Sequence, residues 1–163
     1  MEKPKPKIYL ETTLFNYYFD TDREFHPHTV HLFEEIATGK YDAFTSDEAT
    51  RELKNAPVEK KEKMLALLSE YPITTLPVND MVNILADIYV AEKIIPAKYR
   101  TDGVHIAVAA VNGLDCVVSM NFQHIVKHTV EQLANAVNLV KGYRPIELKS
   151  PMEFFTNEDT QHH

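Results

Sequence analysis

Glycine is scarce in this chain: four residues in 163, at positions 39, 103, 113 and 142. No P-loop and no G-x-G-x-x-G can be written from those positions, which argues against nucleoside-triphosphate and dinucleotide chemistry. Cysteine is almost absent. Cys116 is the only one, so no intrachain disulfide can form and no oxidising compartment is needed. It sits in an apolar run and reads as an inert core thiol. Positive charge is also short: 17 Lys and Arg against 24 Asp and Glu leave a net charge of −7. A protein that holds nucleic acid by bulk electrostatics should be basic, so any such role here needs a local basic edge or bound cations. The longest apolar stretch, 104–120, is interrupted by His105, Asn112 and Asp115 and is too polar to span a membrane. MEKPKPK at the start has no apolar h-region, so no signal peptide is expected and a cytoplasmic location is. No nucleophile-elbow pattern is present. The histidine groups His26/His28/His31 and His124/His128 lack the acid of H-E-x-x-H, which argues against zinc.

What is present suits one globular domain of 163 residues, 44% hydrophobic and 25% charged, long enough to bury a core. Short apolar runs alternate with segments of helical period. The runs 7–10, 41–46, 73–78, 115–120 and 145–150 predict strands. The periodicity predicts helices over 28–39, 47–56, 57–70, 79–94, 101–113 and 121–142, the last broken near His128 and Thr129. In 101–113 the inward face is expected to be Val104, Ala107, Val108 and Val111. One domain is expected over 1–150, with 151–163 as a C-terminal tail ending in His162–His163. Strands separated by helices imply a parallel sheet with helices on both faces, an α/β class and a three-layer α/β/α sandwich.

In such a sheet the first turn of each helix that follows a strand lies near the carboxyl edge, where ligands and metals usually sit. Glu11 follows the first strand directly. Glu48 and Glu52 lie one turn apart on the helix after the second. Asp102 opens the helix before the fourth strand, and Ser119 and Asn121 end that strand. Four segments thus deliver oxygen ligands to one rim. Asp115 starts the fourth strand and lies at the opposite edge, about 13 Å away at about 3.3 Å per residue. Clustered carboxylates raise one another's pKa unless a cation neutralises them, and Mg²⁺ or Mn²⁺ suits oxygen ligands. Each of these acids could equally cap a helix and favour its dipole, Glu11 included. Arg51, Lys98 and Arg100 lie close to the rim and could meet phosphates, or could be ordinary solvated surface. His105, one turn beyond Asp102, could touch the site or serve as a hydrogen-bonded core histidine.

Four stretches, IYLETTLFNYYF, FTSDEATREL, YRTDGVHIAVAAVNGLDCVVSMNFQHI and YRPIELKSPMEFF, resemble in order the PIN-domain family and its VapC-like toxins. The resemblance spans nearly the whole chain. Its most specific part is Asp-x-x-His-Ile-Ala followed by a small-residue turn, a strand and Ser-x-Asn-Phe. The resemblance implies a five-stranded parallel sheet ordered 3-2-1-4-5 and a Mg²⁺- or Mn²⁺-dependent endoribonuclease, the toxin of a prokaryotic toxin–antitoxin module. It implies RNA as substrate, a cognate antitoxin as partner and a homodimer. By position, Glu11, Glu52, Asp102 and Asn121 fall on the family's acidic constellation, with Glu11, Asp102 and Asn121 as metal ligands and Thr13 near the metal. Two positions depart from the pattern. Glu11 stands where Asp is usual and reaches about 1.5 Å further, and Asn121 can offer a carbonyl but no charge. Weakened metal binding and reduced activity are therefore expected. The alternative is a PIN-like module that binds RNA or a partner without cutting.

Overall fold

A computed structural model describes residues 4–154. The central strand β1 (Lys7–Leu10) pairs in parallel with β2 (Asp42–Ser46) and β4 (Cys116–Val118). Strand β3 (Ile73–Leu76) lies outside β2, and β5 (Glu147–Lys149) outside β4. All five run the same way, in the order β3-β2-β1-β4-β5. The class, the layers and the strand order expected from the sequence are those found.

Strand alternation divides the core. Ile8 and Leu10 share one face with Ala43, Cys116 and Val118, and the cores of α1 (Thr13–Tyr17), α2 (His26–Ala37), α3 (Asp47–Lys54) and α4 (Val58–Glu70) close over them. Tyr9, Val117 and Leu148 face the other way, into α5 (Asp80–Ala91), α6 (Arg100–Val111) and α7 (His128–Val140). Cys116 is buried, and burial pushes its thiol pKa up, as an inert core cysteine requires. Gly39 and Gly113 take positive φ (85° and 66°) just past the ends of α2 and α6, the conformation a helix stop needs and a side chain resists.

Three stretches differ from the sequence reading. Helix α6 is buried on every side from Gly103 to Ala110, while Val111 is only half-buried. Its run of Gly, Ala and Val fits between the sheet and α5 and has no polar face to show. The break expected near His128 is found, since α7 begins there, but residues 121–127 form turns and not the helix expected before it. The Asn121 carbonyl oxygen Oδ1 accepts the backbone N–H of Gln123 (3.2 Å) and His124 (3.0 Å), diverting the chain so that α7 begins only at His128. The expected tail begins as part of the domain. Residues 151–154 form a helical turn in which the Glu153 carboxylate accepts the Ser150 N–H (2.8 Å) and the Phe154 ring meets Tyr41 edge-on at 5.6 Å. His162 and His163 lie outside the described residues.

Candidate active site

Glu11 extends β1 by one residue, its N–H donating to the Val118 carbonyl at 3.1 Å. Its side chain is buried, 3% exposed. Oε1 accepts the Thr13 hydroxyl (2.5 Å), the Ser119 hydroxyl (2.6 Å) and the Thr13 backbone N–H (3.2 Å). Each hydroxyl is oriented by a backbone N–H that it accepts in turn: Met120 donates to Thr13 (2.9 Å) and Asn121 to Ser119 (2.9 Å). The ends of β1 and β4 are thereby tied together through one carboxylate. Oε2 takes no hydrogen bond from the described residues. Burial raises the pKa of Glu11, and His105, Ser119 and Thr13 only partly offset it.

Glu52 projects from α3. Its Oε1 accepts His105 Nε2 at 2.5 Å and the Thr12 hydroxyl at 3.1 Å. His105 is fully buried on α6, and its Nδ1 meets the Tyr9 hydroxyl at 2.5 Å. Tyr9 in turn bonds Ser46 at 2.7 Å. For Glu52, burial alone would raise the pKa, but the bond and charge of His105, with Thr12 and Arg51, bring it below the usual carboxylate range. For His105, burial opposes the charged form, but Glu52, Glu11 and Asp102 together raise its pKa. His105 therefore sits among three carboxylates from three separate segments, whose charges favour its protonated form.

Asp102 opens α6. His124 Nδ1 lies 3.2 Å from its Oδ2. Burial raises the pKa of Asp102 more than His105, His124 and the nearby Asn121 side chain lower it. Asn121 Oδ1 already holds two backbone N–H groups, which leaves its amide NH₂ as the donor available to Asp102. The ring of His124 stacks on Tyr99 at 4.1 Å and 30°.

The structure thus gathers Glu11, Glu52, Asp102, Asn121, Thr13, Ser119 and His105 at the carboxyl edge. Other rim residues are turned to different partners. Glu48 pairs with Arg51 beside it on α3. Arg100 binds Asp87 at 2.7 Å and Asn83 at 3.1 Å, fastening α6 to α5. Lys98 stands over the Tyr99 ring at 5.7 Å, on the side of the site where Tyr99 carries His124. Thr12, Tyr9 and His124 join the site although sequence reasoning does not place them there. His124 has a signal, three residues past Asn121 on the same turn; Thr12 and Tyr9 have none beyond flanking Glu11.

Among the described residues, no three His, Cys, Asp or Glu side chains stand as a ready set of metal ligands. The donor chemistry nevertheless fits a hard divalent cation. The acids are oxygen donors, Glu11 keeps one oxygen open, and burial disfavours the charge on both Glu11 and Asp102.

A parallel sheet ordered β3-β2-β1-β4-β5 with helices on both faces defines the class: the chain has a PIN-like α/β/α fold, the fold of solved VapC structures. Among solved structures it is similar to VapC20 of Mycobacterium tuberculosis, a toxin that cleaves the sarcin–ricin loop. That match has a TM-score of 0.55 and 12% identity, and covers 85% of this chain and 98% of that one. It is also similar to VapBC2 from Rickettsia felis bound to a DNA fragment from their promoter (TM-score 0.56, 12% identity, 88% and 98% covered). A third similar structure is DNA-bound VapBC from Salmonella typhimurium (TM-score 0.55, 13% identity, 90% and 98% covered). No protein-family model and no curated protein matches the chain. Identities of 12–13% carry the fold and not the role of any residue.

Proposed function

We propose that this protein is a metal-dependent endoribonuclease, the toxin of a prokaryotic toxin–antitoxin module. The observation that carries the reading is the convergence of Glu11, Glu52 and Asp102 around His105 at one end of the sheet. The fold shared with VapC20, a cleaving toxin, supports it. Glu11 and Asp102 would hold Mg²⁺ or Mn²⁺. Such an ion supplies a water of lowered pKa and charge neutralisation at a phosphate. The chain's own residues then have distinct tasks. Thr13 and Ser119 fix the Glu11 carboxylate so that Oε2 stays open. Glu52, ionised and steadied by Thr12 and His105, can accept a hydrogen bond from the attacking water. Asn121 sits behind Asp102 and orients it; to coordinate an ion through Oδ1 it would have to release two backbone N–H groups.

An antitoxin and a second copy of the chain are the proposed partners. Two of the similar structures are VapBC complexes, and Met81 and Ile84 of α5 with Leu139 and Val140 of α7 expose apolar surface that a partner could cover. A cytoplasmic location belongs to the same proposal, since that is where the RNA substrate is found. No helix among the described residues is long and apolar enough to cross a membrane.

A second reading, a PIN-like module that binds RNA or a partner without cutting it, draws on His105, whose raised pKa would let it offset the acids without an ion. RNA cleavage in Mn²⁺ by wild type and by Asp102→Ala separates the two. Cleavage that Asp102→Ala loses supports the nuclease; equal cleavage by both removes it. Mn²⁺ titration by calorimetry that shows no binding at millimolar metal, with RNA affinity retained, supports the binding module.

A further inference from the structure

A cavity of about 370 Å³ opens directly beside the acidic cluster, with Glu11 and Glu52 in its lining. That volume lies in the range of small-ligand pockets. One wall is apolar, built by Leu53 and Ala56 of α3 and its exit, Pro57, and Met64 of α4. The rim carries Asn16 of α1 and the exposed Lys60, one turn from Met64 on α4, whose Nζ donates to Asn16 Oδ1 at 3.4 Å. The hydroxyls nearby are committed, Thr12 to Glu52 and Thr13 to Glu11.

We infer that this cavity is a subsite for one unpaired guanine base of the substrate RNA, next to the scissile phosphate, read by Asn16 and Lys60. The inference rests on the ribonuclease reading, which places a phosphate at Glu11 and Asp102. A flat base one nucleotide along the chain would lie against the apolar wall. Lys60 supplies positive charge at the mouth of an otherwise acidic pocket. With Oδ1 occupied, Asn16 offers its NH₂, and Lys60 its ammonium, so both groups are donors. Guanine presents two adjacent acceptors, O6 and N7, to such a pair, whereas adenine and cytosine place an amino donor on that edge. RNA is read in this way where its bases are unstacked and splayed out.

The test is binding of fluorescein-labelled RNA tetramers, all-uridine or with a single guanosine at each position in turn, measured by anisotropy in EDTA so that metal-dependent cleavage is off. The wild type is expected to bind one guanosine-containing tetramer about tenfold more tightly than all-uridine RNA, as one well-made pair of hydrogen bonds to a base edge provides. Asn16→Ala and Lys60→Gln should each reduce that preference to about threefold or less. Equal affinity for all tetramers, or a preference that survives both rim variants, overturns the subsite. Absence of binding by any tetramer also overturns it, and points to a pocket that takes a protein side chain instead. Cleavage in Mn²⁺ is read separately. Asp102-dependent cleavage without guanine preference removes the subsite and keeps the nuclease; guanine preference without cleavage does the reverse.

Discussion

His105 Nε2 and Glu52 Oε1 lie 2.5 Å apart, joining a ring with no solvent exposure to a carboxylate side chain that is 31% exposed. The pair spans 53 residues of sequence and locks α3 against α6. It also sets an imidazole whose pKa is raised among three acids that share one rim.

Removing that imidazole should therefore expose a dependence on metal. His105→Ala removes one of two partners from Glu52, which keeps Thr12, and from the Tyr9 hydroxyl, which keeps Ser46, and is expected to lower stability by about 1–3 kcal/mol. Adding Mn²⁺ should restore a larger part of the loss in the variant than it adds to the wild type, because binding to the folded state alone stabilises it. Urea unfolding of both proteins, with and without Mn²⁺, reads this directly. Identical metal effects in the two proteins would show that His105 does not take the place of a cation.

The same pair sets a pH window. The Glu52 pKa is lowered in the folded protein, so its contribution is present above the ordinary value of 4.5 and is lost as pH falls through the lower folded value. The His105 pKa is raised, so its contribution is complete below the ordinary value of 6.5 and is lost as pH rises through the higher folded value. Glu11 and Asp102 act in the opposite sense to Glu52. Their raised pKa values mean that the folded state holds protons the unfolded chain has released, so they too weaken the fold as pH climbs from the ordinary carboxylate range. The metal-free protein should be most stable between about pH 5 and 6.5 and decline on the alkaline side. Urea midpoints from about pH 4 to pH 9 measure the profile, and His105→Gln should start the decline at lower pH, because Glu11, Glu52 and Asp102 lose the neighbour that offsets their burial.

Glu11, in place of the aspartate usual in PIN domains, reads from sequence alone as a longer arm that detunes the site. The contacts give it a different meaning. The extra methylene lets one oxygen meet Thr13 and Ser119 together, at 2.5 and 2.6 Å. Glu11→Asp withdraws the carboxylate by about 1.5 Å and cannot reach both hydroxyls from the same backbone. Stability should fall by about 1–3 kcal/mol, and Mn²⁺-dependent RNA cleavage by about tenfold or more, since small misplacements in a site are costly. Urea unfolding and a cleavage assay on one RNA test both halves. A rise in cleavage would show that the longer side chain is a defect and not part of the design.

The sheet is legible in the sequence because its strands are short apolar runs punctuated by helix stops, and parallel order emerges once helices separate them. The convergence of Glu11, Glu52 and Asp102 is legible for the same reason: topology alone brings strand ends together. The helix expected over 101–113 is found as α6, but not its single inward face, because residues 103–110 are buried all round. Residues 121–127 escape because a single side-chain acceptor, Asn121, outweighs the helical pattern around it. Arg51 reads as a candidate for phosphate, yet Glu48 three residues before it is a visible partner. Arg100 has no such local signal, since Asp87 and Asn83 reach it only through the packing of α5 on α6. The web from Ser46 through Tyr9 and His105 to Glu52 joins distant segments, and no spacing in one sequence announces it.

Asn121 provides a last test, because its two ends do different work. Its Oδ1 holds the turn at 123–124, which leaves its NH₂ as the donor available to Asp102. Asn121→Asp keeps an acceptor for both backbone N–H groups, so the turn should survive. It replaces the donor available to Asp102 with a second carboxylate oxygen, and like charge raises the pKa of both groups. Without metal, the variant should lose about 1–2 kcal/mol, the order of one hydrogen bond to a charged group. With metal, the added negative charge becomes an advantage, and Mn²⁺ should bind about tenfold more tightly than to the wild type. Calorimetric titration gives the affinity and urea unfolding in EDTA the stability. Opposite signs in the two measurements are the expected result. A variant weaker in both would mean that the Asn121 amide is needed at the metal itself, and that its donation to Asp102 is not its main role.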